Sequence, residues 1–444
     1  MPSGFRDHPL RQSLTEELHA RPFARLDAPL RATHLALMSG EDAAEAERAH
    51  AAALCRRYDQ PPPGPEDTHY LVDLGAFRLR WERHTEFSTY TFFVRPAGDT
   101  DGSGADIFAE AALEAVPQDW RDGLAGELLV GTHLALEPRN RPHPDTDSLA
   151  EIFGTDNLAG SLASNGAAAI FLDFRIHHDG FGRILVYDRS LRPRQAGRLV
   201  QRLLEIDTYR AMALLALPVA RRFGTELNEG RDRLSRIAAE IKTIDSLDDE
   251  RRLLRSLTAL SADVESAASP AVYRFGATRA YYALVRRRVE ELRETRVEGL
   301  QTIHEFLDRR LAPAMRTCEA VGERVARLSE RISRTGELLR TRVDVQLEAQ
   351  NSALLQSMDR RARLQLRLQK TVEGLSVAAI SYYLVSLLSY VLKSAKTAGL
   401  PLDPDLWTGI SVPFVVAALA AGVWRLRRRL ERDEETASGG LGED

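Results

Sequence analysis

Leu375-Ser-Val-Ala-Ala-Ile-Ser-Tyr-Tyr-Leu-Val-Ser-Leu-Leu-Ser-Tyr-Val-Leu392 and Trp407-Thr-Gly-Ile-Ser-Val-Pro-Phe-Val-Val-Ala-Ala-Leu-Ala-Ala-Gly-Val-Trp424 are the two stretches that organise this chain. As a helix, the first is about 27 Å long, close to the hydrocarbon thickness of a bilayer. The second is near the short limit for a span, and Trp at both its ends suits the interfacial aromatic belt. Between them, Lys393–Asp405 is polar and holds Gly399, Pro401 and Pro404, so it reads as a turn. The expectation is a transmembrane hairpin over 373–426, with spans at about 375–392 and 407–424. The alternative, a helical hairpin buried in a soluble core, gives no reason for the arginines at both outer ends.

Those flanks set the orientation. Arg360, Arg361, Arg363, Arg367 and Lys370 precede the first span; Arg425, Arg427, Arg428, Arg429 and Arg432 follow the second. The connecting loop has Lys393 and Lys396, offset by Asp403 and Asp405. The excess of cations on the cytoplasmic side then places both termini in the cytoplasm of a bacterium and the loop outside its inner membrane. Tyr382, Ser386, Ser389 and Lys393 recur at helical spacing along the first span, with Ser381 beside them. Such a stripe serves helix packing or, with several copies around a common axis, a pore lining. Ala417/Ala421 and Ala418/Gly422 permit close packing on the second span. Glu373, at the mouth of the first span, is costly to bury and so draws a functional reading; exposure at headgroup level is the plainer one.

The 444 residues carry 60 basic and 64 acidic side chains, a net charge of −4 that speaks against a nucleic-acid partner. Lysine occurs only at 242, 370, 393 and 396. Cys55 and Cys318 form no metal spacing and no disulfide framework, which fits a reducing compartment. Met1–His8 has no apolar core of a signal peptide, so the bulk of the chain is expected in the cytoplasm.

Taken in order, residues 1–192 read as an α/β (α+β) domain with a largely antiparallel sheet. A short helix is expected over Leu10–Ala20, strands at Thr33–Met38, Tyr70–Leu74, Arg78–His84, Thr89–Val94, Glu127–Leu136, Ala168–Ile176 and Ile184–Asp188, and helices at Asp42–Tyr58 and Phe108–Ala115. Asp99–Ala105 and the Gly/Ser/Asn-rich 154–166 read as loops. From Arg194 the period is helical, with helices at about 194–222, 225–267, 277–311 and 314–392; Pro270 and Pro313 mark two of the breaks. Cys318, Val321, Val325, Leu328, Ile332, Thr335 and Leu339 step by three and four, a coiled-coil seam. Residues 193–372 are therefore expected to form a helical bundle and a coiled-coil stalk, a rod of about 100 Å entering the membrane. A break near Gly336 is the alternative. Residues 427–444 read as a basic-then-acidic tail, the last dozen of them disordered.

No P-loop, dinucleotide fingerprint, nucleophile elbow or zinc-protease helix occurs. Three polar clusters could bind a divalent ion or serve acid–base chemistry: His8, Glu17 and His19; Glu82, His84 and Glu86, alternating along one strand and so sharing a face; and His177, His178 and Asp179 at a turn. Each more often proves to be a surface network or a cap. No cofactor is implied and no enzymatic activity is expected.

Several segments carry a family likeness across the chain: His8-Pro-Leu-Arg11 with Glu17-Leu-His-Ala-Arg-Pro-Phe23, Trp81-Glu-Arg-His-Thr-Glu-Phe-Ser-Thr-Tyr-Thr-Phe92, Asp173-Phe-Arg-Ile-His177, Gln201-Arg-Leu-Leu-Glu-Ile-Asp-Thr-Tyr209 and Thr371–Tyr383. They resemble the bacterial domain-of-unknown-function family 3422, described as membrane-anchored proteins. The architecture is also similar to that of the CorA magnesium channels. That likeness implies a homo-oligomeric transporter of divalent cations whose first span lines a pore through Tyr382, Ser386 and Ser389, with an outer acidic ring at Asp403 and Asp405. CorA channels end the first span with Gly-Met-Asn, whereas Tyr390-Val391-Leu392-Lys393 stands here, and a ring of Lys393 repels cations unless the two aspartates offset it. The other reading is a membrane-tethered oligomeric scaffold or sensor, without transport, that recruits a cytoplasmic protein partner.

Overall fold

The computed structural model describes residues 8–12, 14–15, 23–96, 107–244, 246–397 and 403–438, with backbone only for Glu41 and 426–438. The chain divides into two compact units, Met1–Leu338 and Leu339–Asp444.

The first unit is built on one nine-stranded sheet. Its strands are β1 (Leu30–Met38), β2 (His69–Asp73), β3 (Arg78–Arg83), β4 (Ser88–Val94), β5 (Glu127–Glu137), β6 (Ala159–Ala163), β7 (Ala168–Leu172), β8 (Gly182–Asp188) and β9 (Thr295–Arg296), in the spatial order β2-β3-β4-β1-β5-β8-β7-β6-β9. Only β5 and β8 run parallel; every other pair is antiparallel, as the alternating patterns imply. β1 is buried along nearly its whole length, because helices or loops cover both faces. On one side Leu35, Leu37, Leu79, Trp81 and Phe92 pack with Leu54 and Cys55 of α1 (Ala44–Arg57). On the other, Leu30, Leu134, Leu136 and Val186 meet α4 (Pro193–Leu214), α6 (Leu247–Leu292) and the start of α7 (Ile303–Thr397). α2 (Gln118–Arg121) and α3 (Thr146–Phe153) are short elements between strands.

Three expectations fail locally. Phe108–Ala115 is not an α-helix; only a 3-10 turn forms, at Ala112–Ala115. The stretch 154–166 contains β6, whose Ala159, Gly160 and Ser161 are small enough to be buried beneath neighbours such as Leu300 and Phe171. Neither Pro270 nor Pro313 ends a helix. Both lie inside one, α6 and α7, where Ala268, Ala271 and Phe275, or Leu311, Ala312 and Met315, are buried. That packing offsets the roughly 3 kcal/mol a helix-interior proline costs. The breaks fall instead at side-chain caps. Ser246 accepts from the Asp249 amide at 3.1 Å. Thr302 and Glu305 cap each other's amides, at 2.9 and 3.1 Å, in a capping box.

α5 (Ala216–Glu240), α6 and the first part of α7 form a three-helix bundle. Ala220, Phe223, Leu227, Gly230, Leu234 and Ile237 are buried on α5 at alternating steps of three and four. The seam expected on α7 is buried from Cys318 to Ile332. Its partners within this unit are helices of the same chain: Gly230 lies against Leu328 and Val264, and Gly322 against Phe275.

α7 runs unbroken past Gly336 and Gly374 to Thr397, and α8 (Pro404–Ser438) follows in the second unit. These are two helices long and apolar enough to cross a membrane, the second over Pro404–Arg425. α8 reaches Ser438, so the tail expected to be disordered is helical over its first part; Asp99–Ala105 lies outside the described residues.

A close approach gives the fold its sharpest test. A Cβ on Gly197 of α4 stands 1.7 Å from the Ala24 carbonyl oxygen, whereas one on Gly224 of α5 meets nothing within 4 Å. Gly197→Ala is expected to destabilise the first unit by about 3 kcal/mol or more, and Gly224→Ala to leave it unchanged or stabilise it by up to about 1 kcal/mol. Urea unfolding of the two variants checks the contrast.

Candidate functional site

β1, β4 and β3 are neighbours, and their register lines up His34, Thr91 and Arg80 in one row and Ala36, Thr89 and Glu82 in the next. Side chains in such rows share a face. That face meets α4, where Gln201, Glu205, Thr208 and Tyr209 recur at helical spacing. Together they enclose a cavity of about 220 Å³, with Phe87, Phe93, Val200 and Leu204 as apolar walls and Arg288 of α6 at its edge. This is space for a small molecule or several waters, since one water needs about 10–15 Å³ on the same measure.

His34 is clamped from two elements. Its Nδ1 lies 2.8 Å from the Thr91 hydroxyl and its Nε2 2.9 Å from the Thr208 hydroxyl. Burial pushes its pKa down to about 4, while Asp207 and Glu82 pull it up and Arg80 and His84 push it down further. At neutral pH the ring is therefore uncharged and holds β1, β4 and α4 together. Arg80 pairs with Glu82 at 2.7 Å, both nearly buried. Arg288 pairs with Glu205 and reaches Glu291 at 3.0 Å. Gln201 donates to Glu205 at 2.7 Å, while its own buried Oε1 has no partner. An unpaired buried acceptor is costly unless something donates to it. The two guanidinium and two carboxylate groups cancel in charge, so the cavity favours a net-neutral molecule with an N–H or O–H donor.

The expected trio is only partly assembled here. Glu82 is on β3, but the strand ends at Arg83, so His84 and Glu86 sit in the turn before β4. His84 lines the cavity and stacks on Phe87 at 4.3 Å. Glu86 turns to Arg274, at 2.8 Å, and to the Tyr281 hydroxyl, at 3.1 Å. Among the described residues no group of three or more His, Cys, Asp or Glu is placed to hold a metal. His177 pairs with Asp173 at 3.1 Å and Asp179 accepts from the Phe181 amide, a turn-forming bond. Glu17 and His19 lie outside the described residues. In the second unit Tyr382 is 72% exposed, Ser386, Ser389 and Glu373 are half-buried, and Asp403 and Asp405 are exposed. The Ser381 hydroxyl bonds the Val377 carbonyl at 2.6 Å, a local bond suited to apolar surroundings.

His34 and the row from Gln201 to Tyr209 escaped the sequence-based reading. The available signal was a histidine within a mostly apolar strand, beside Arg31 and Thr33, and a run of polar residues at helical spacing from Gln201 to Tyr209.

His34 and His133, whose pKa burial also pushes down to about 4, make stability depend on pH. Unfolded, each titrates near 6.5. Above that both states are neutral and stability does not change; as pH falls from 6.5 to 4 the unfolded chain takes up protons first and the fold weakens. A loss of a few kcal/mol between pH 7 and pH 4.5 is expected, and it should shrink in His34→Gln. Urea midpoints at the two pH values measure it.

Comparison with known proteins adds the family. No curated protein matches the chain. Among solved structures, that of the full-length CmaX protein aligns with 15% identity over 68% of this chain and 89% of that one, at a TM-score of 0.13, an overlap too loose to carry an argument about fold. The likeness to CorA channels gains nothing from these comparisons. The model of the family described as protein of unknown function (DUF3422) matches residues 6–430, nearly the whole sequence. The chain belongs to the DUF3422 family.

Proposed function

We propose that this protein is a receptor tethered to the bacterial inner membrane, binding a small, net-neutral, hydrogen-bonding molecule in the cavity between the sheet and α4. Both termini lie in the cytoplasm, as the arginine-rich flanks of the spans favour. The observation that carries the reading is a cavity whose charges cancel and whose lining includes Gln201, a side chain with a buried, unpaired Oε1 that a turn of the amide would present to a ligand. A polar ligand completes that bond and answers Arg80 and Glu82 at once. The role is binding and signalling, and a change at α4 can reach α6 through the Glu205–Arg288 pair.

Transport is the second reading, and one observation favours it. Tyr382, near the middle of the first span, exposes its phenol, which lipid tails cannot hydrogen-bond. Around a shared axis it would meet Ser386 and Ser389 of other copies. Cation flux into liposomes holding the purified protein tests this; no flux under a magnesium gradient removes it.

For the receptor reading, native mass spectrometry of the full chain in mild detergent is expected to show a retained small molecule without net charge. Gln201→Leu should lower its occupancy tenfold or more. Retention of a multiply charged anion, or equal retention by the variant, contradicts the assignment.

A further inference from the structure

We infer that copies of this chain associate in parallel through one continuous row on α7, outside the membrane and within it. The second-unit part of α7 leaves Leu354, Met358, Leu368 and Val372 63%, 60%, 67% and 62% exposed. With Arg361 and Gln365 between them, these positions step by four and three, the spacing of a helix seam that supercoils on a partner. The same steps run on without a change of phase to Leu375, Ala379, Tyr382 and Ser386. The polar row of the first span and the apolar row before it are thus one surface.

The less exposed side of the span holds Val385, Leu388 and Leu392. At 100° per residue, these fall opposite Leu354 and Val372, together with Arg363 and Lys370, whereas within the span Val385 lies only about 60° from Tyr382. The row is therefore open from Leu354 to Tyr382, and half-covered by its own chain at Ser386.

The occupant is a second copy. This rests on the membrane reading: a hairpin enters the bilayer in one sense only, so every copy presents the same row at the same depth, and parallel pairing aligns it with itself. From Leu354 to Leu375 the side chains offer on the order of 400 Å² per copy, and the row across the membrane brings the total toward the roughly 800 Å² per partner of a specific interface. Arg361 and Gln365 are the polar layers; polar seam positions fix register and copy number at some cost in stability.

The test is oxidative cross-linking of single-cysteine additions in isolated membranes. Native Cys55 and Cys318 are buried and serve as the background. Leu354→Cys and Leu368→Cys are expected to form dimers of the chain with at least tenfold higher yield than Gln356→Cys and Arg363→Cys on the other face. Absence of dimers at the two row positions, equal yield on both faces, or products containing another protein would overturn the inference. The membrane reading fails separately, by loss of the chain from the membrane pellet.

Discussion

Apolar surface that the chain cannot cover itself is the constraint on which the rest of this structure depends. In the first unit the constraint is met internally. The sheet is covered on both faces, the three bundled helices bury a shared seam, and prolines stay inside helices because the packing around them outweighs their cost. In the second unit it is not met: Leu375, Tyr382, Phe414 and Trp424 stand in the open. The backbone of both spans is helical, and serine and threonine hydroxyls bond carbonyls of their own helices. That is how polar groups are satisfied where water is absent.

The cavity obeys the same rule in the polar direction. Arg80 with Glu82, nearly buried, and Arg288 with Glu205, half-buried, are charges held in pairs, and His34 gives up its proton rather than remain a buried cation. Gln201 Oε1 is one of several buried side-chain atoms without a partner among the described residues, and the one that belongs to a residue lining the cavity. The parallel row on α7 would let several such cavities share one membrane assembly, which links receptor and oligomer without requiring a pore.

The sequence disclosed those features that depend on periodicity. Strands β1 to β5 and both membrane-long helices were legible from alternation and apolar run length. So was the seam at Cys318–Ile332, but not its partner: heptad steps on α5 and α6 show that the chain supplies its own. Helix ends were misread because Pro270 and Pro313 are louder in the sequence than the Ser246 cap or the Thr302–Glu305 box. The cavity was hidden for a different reason. His34, Arg80 and Gln201 are far apart along the chain, and only the register of β1, β4 and β3 against α4 brings them together. For the same reason the regular spacing of Glu82, His84 and Glu86 did not make a site, since the strand stops between them.

Lipid around 375–392 and 407–424 is the premise on which the membrane reading rests. Washing membranes that contain the full chain with alkaline carbonate, then with mild detergent, tests it most directly. The protein should stay in the pellet through the carbonate wash and leave it only with detergent. Recovery in the carbonate supernatant would contradict the account.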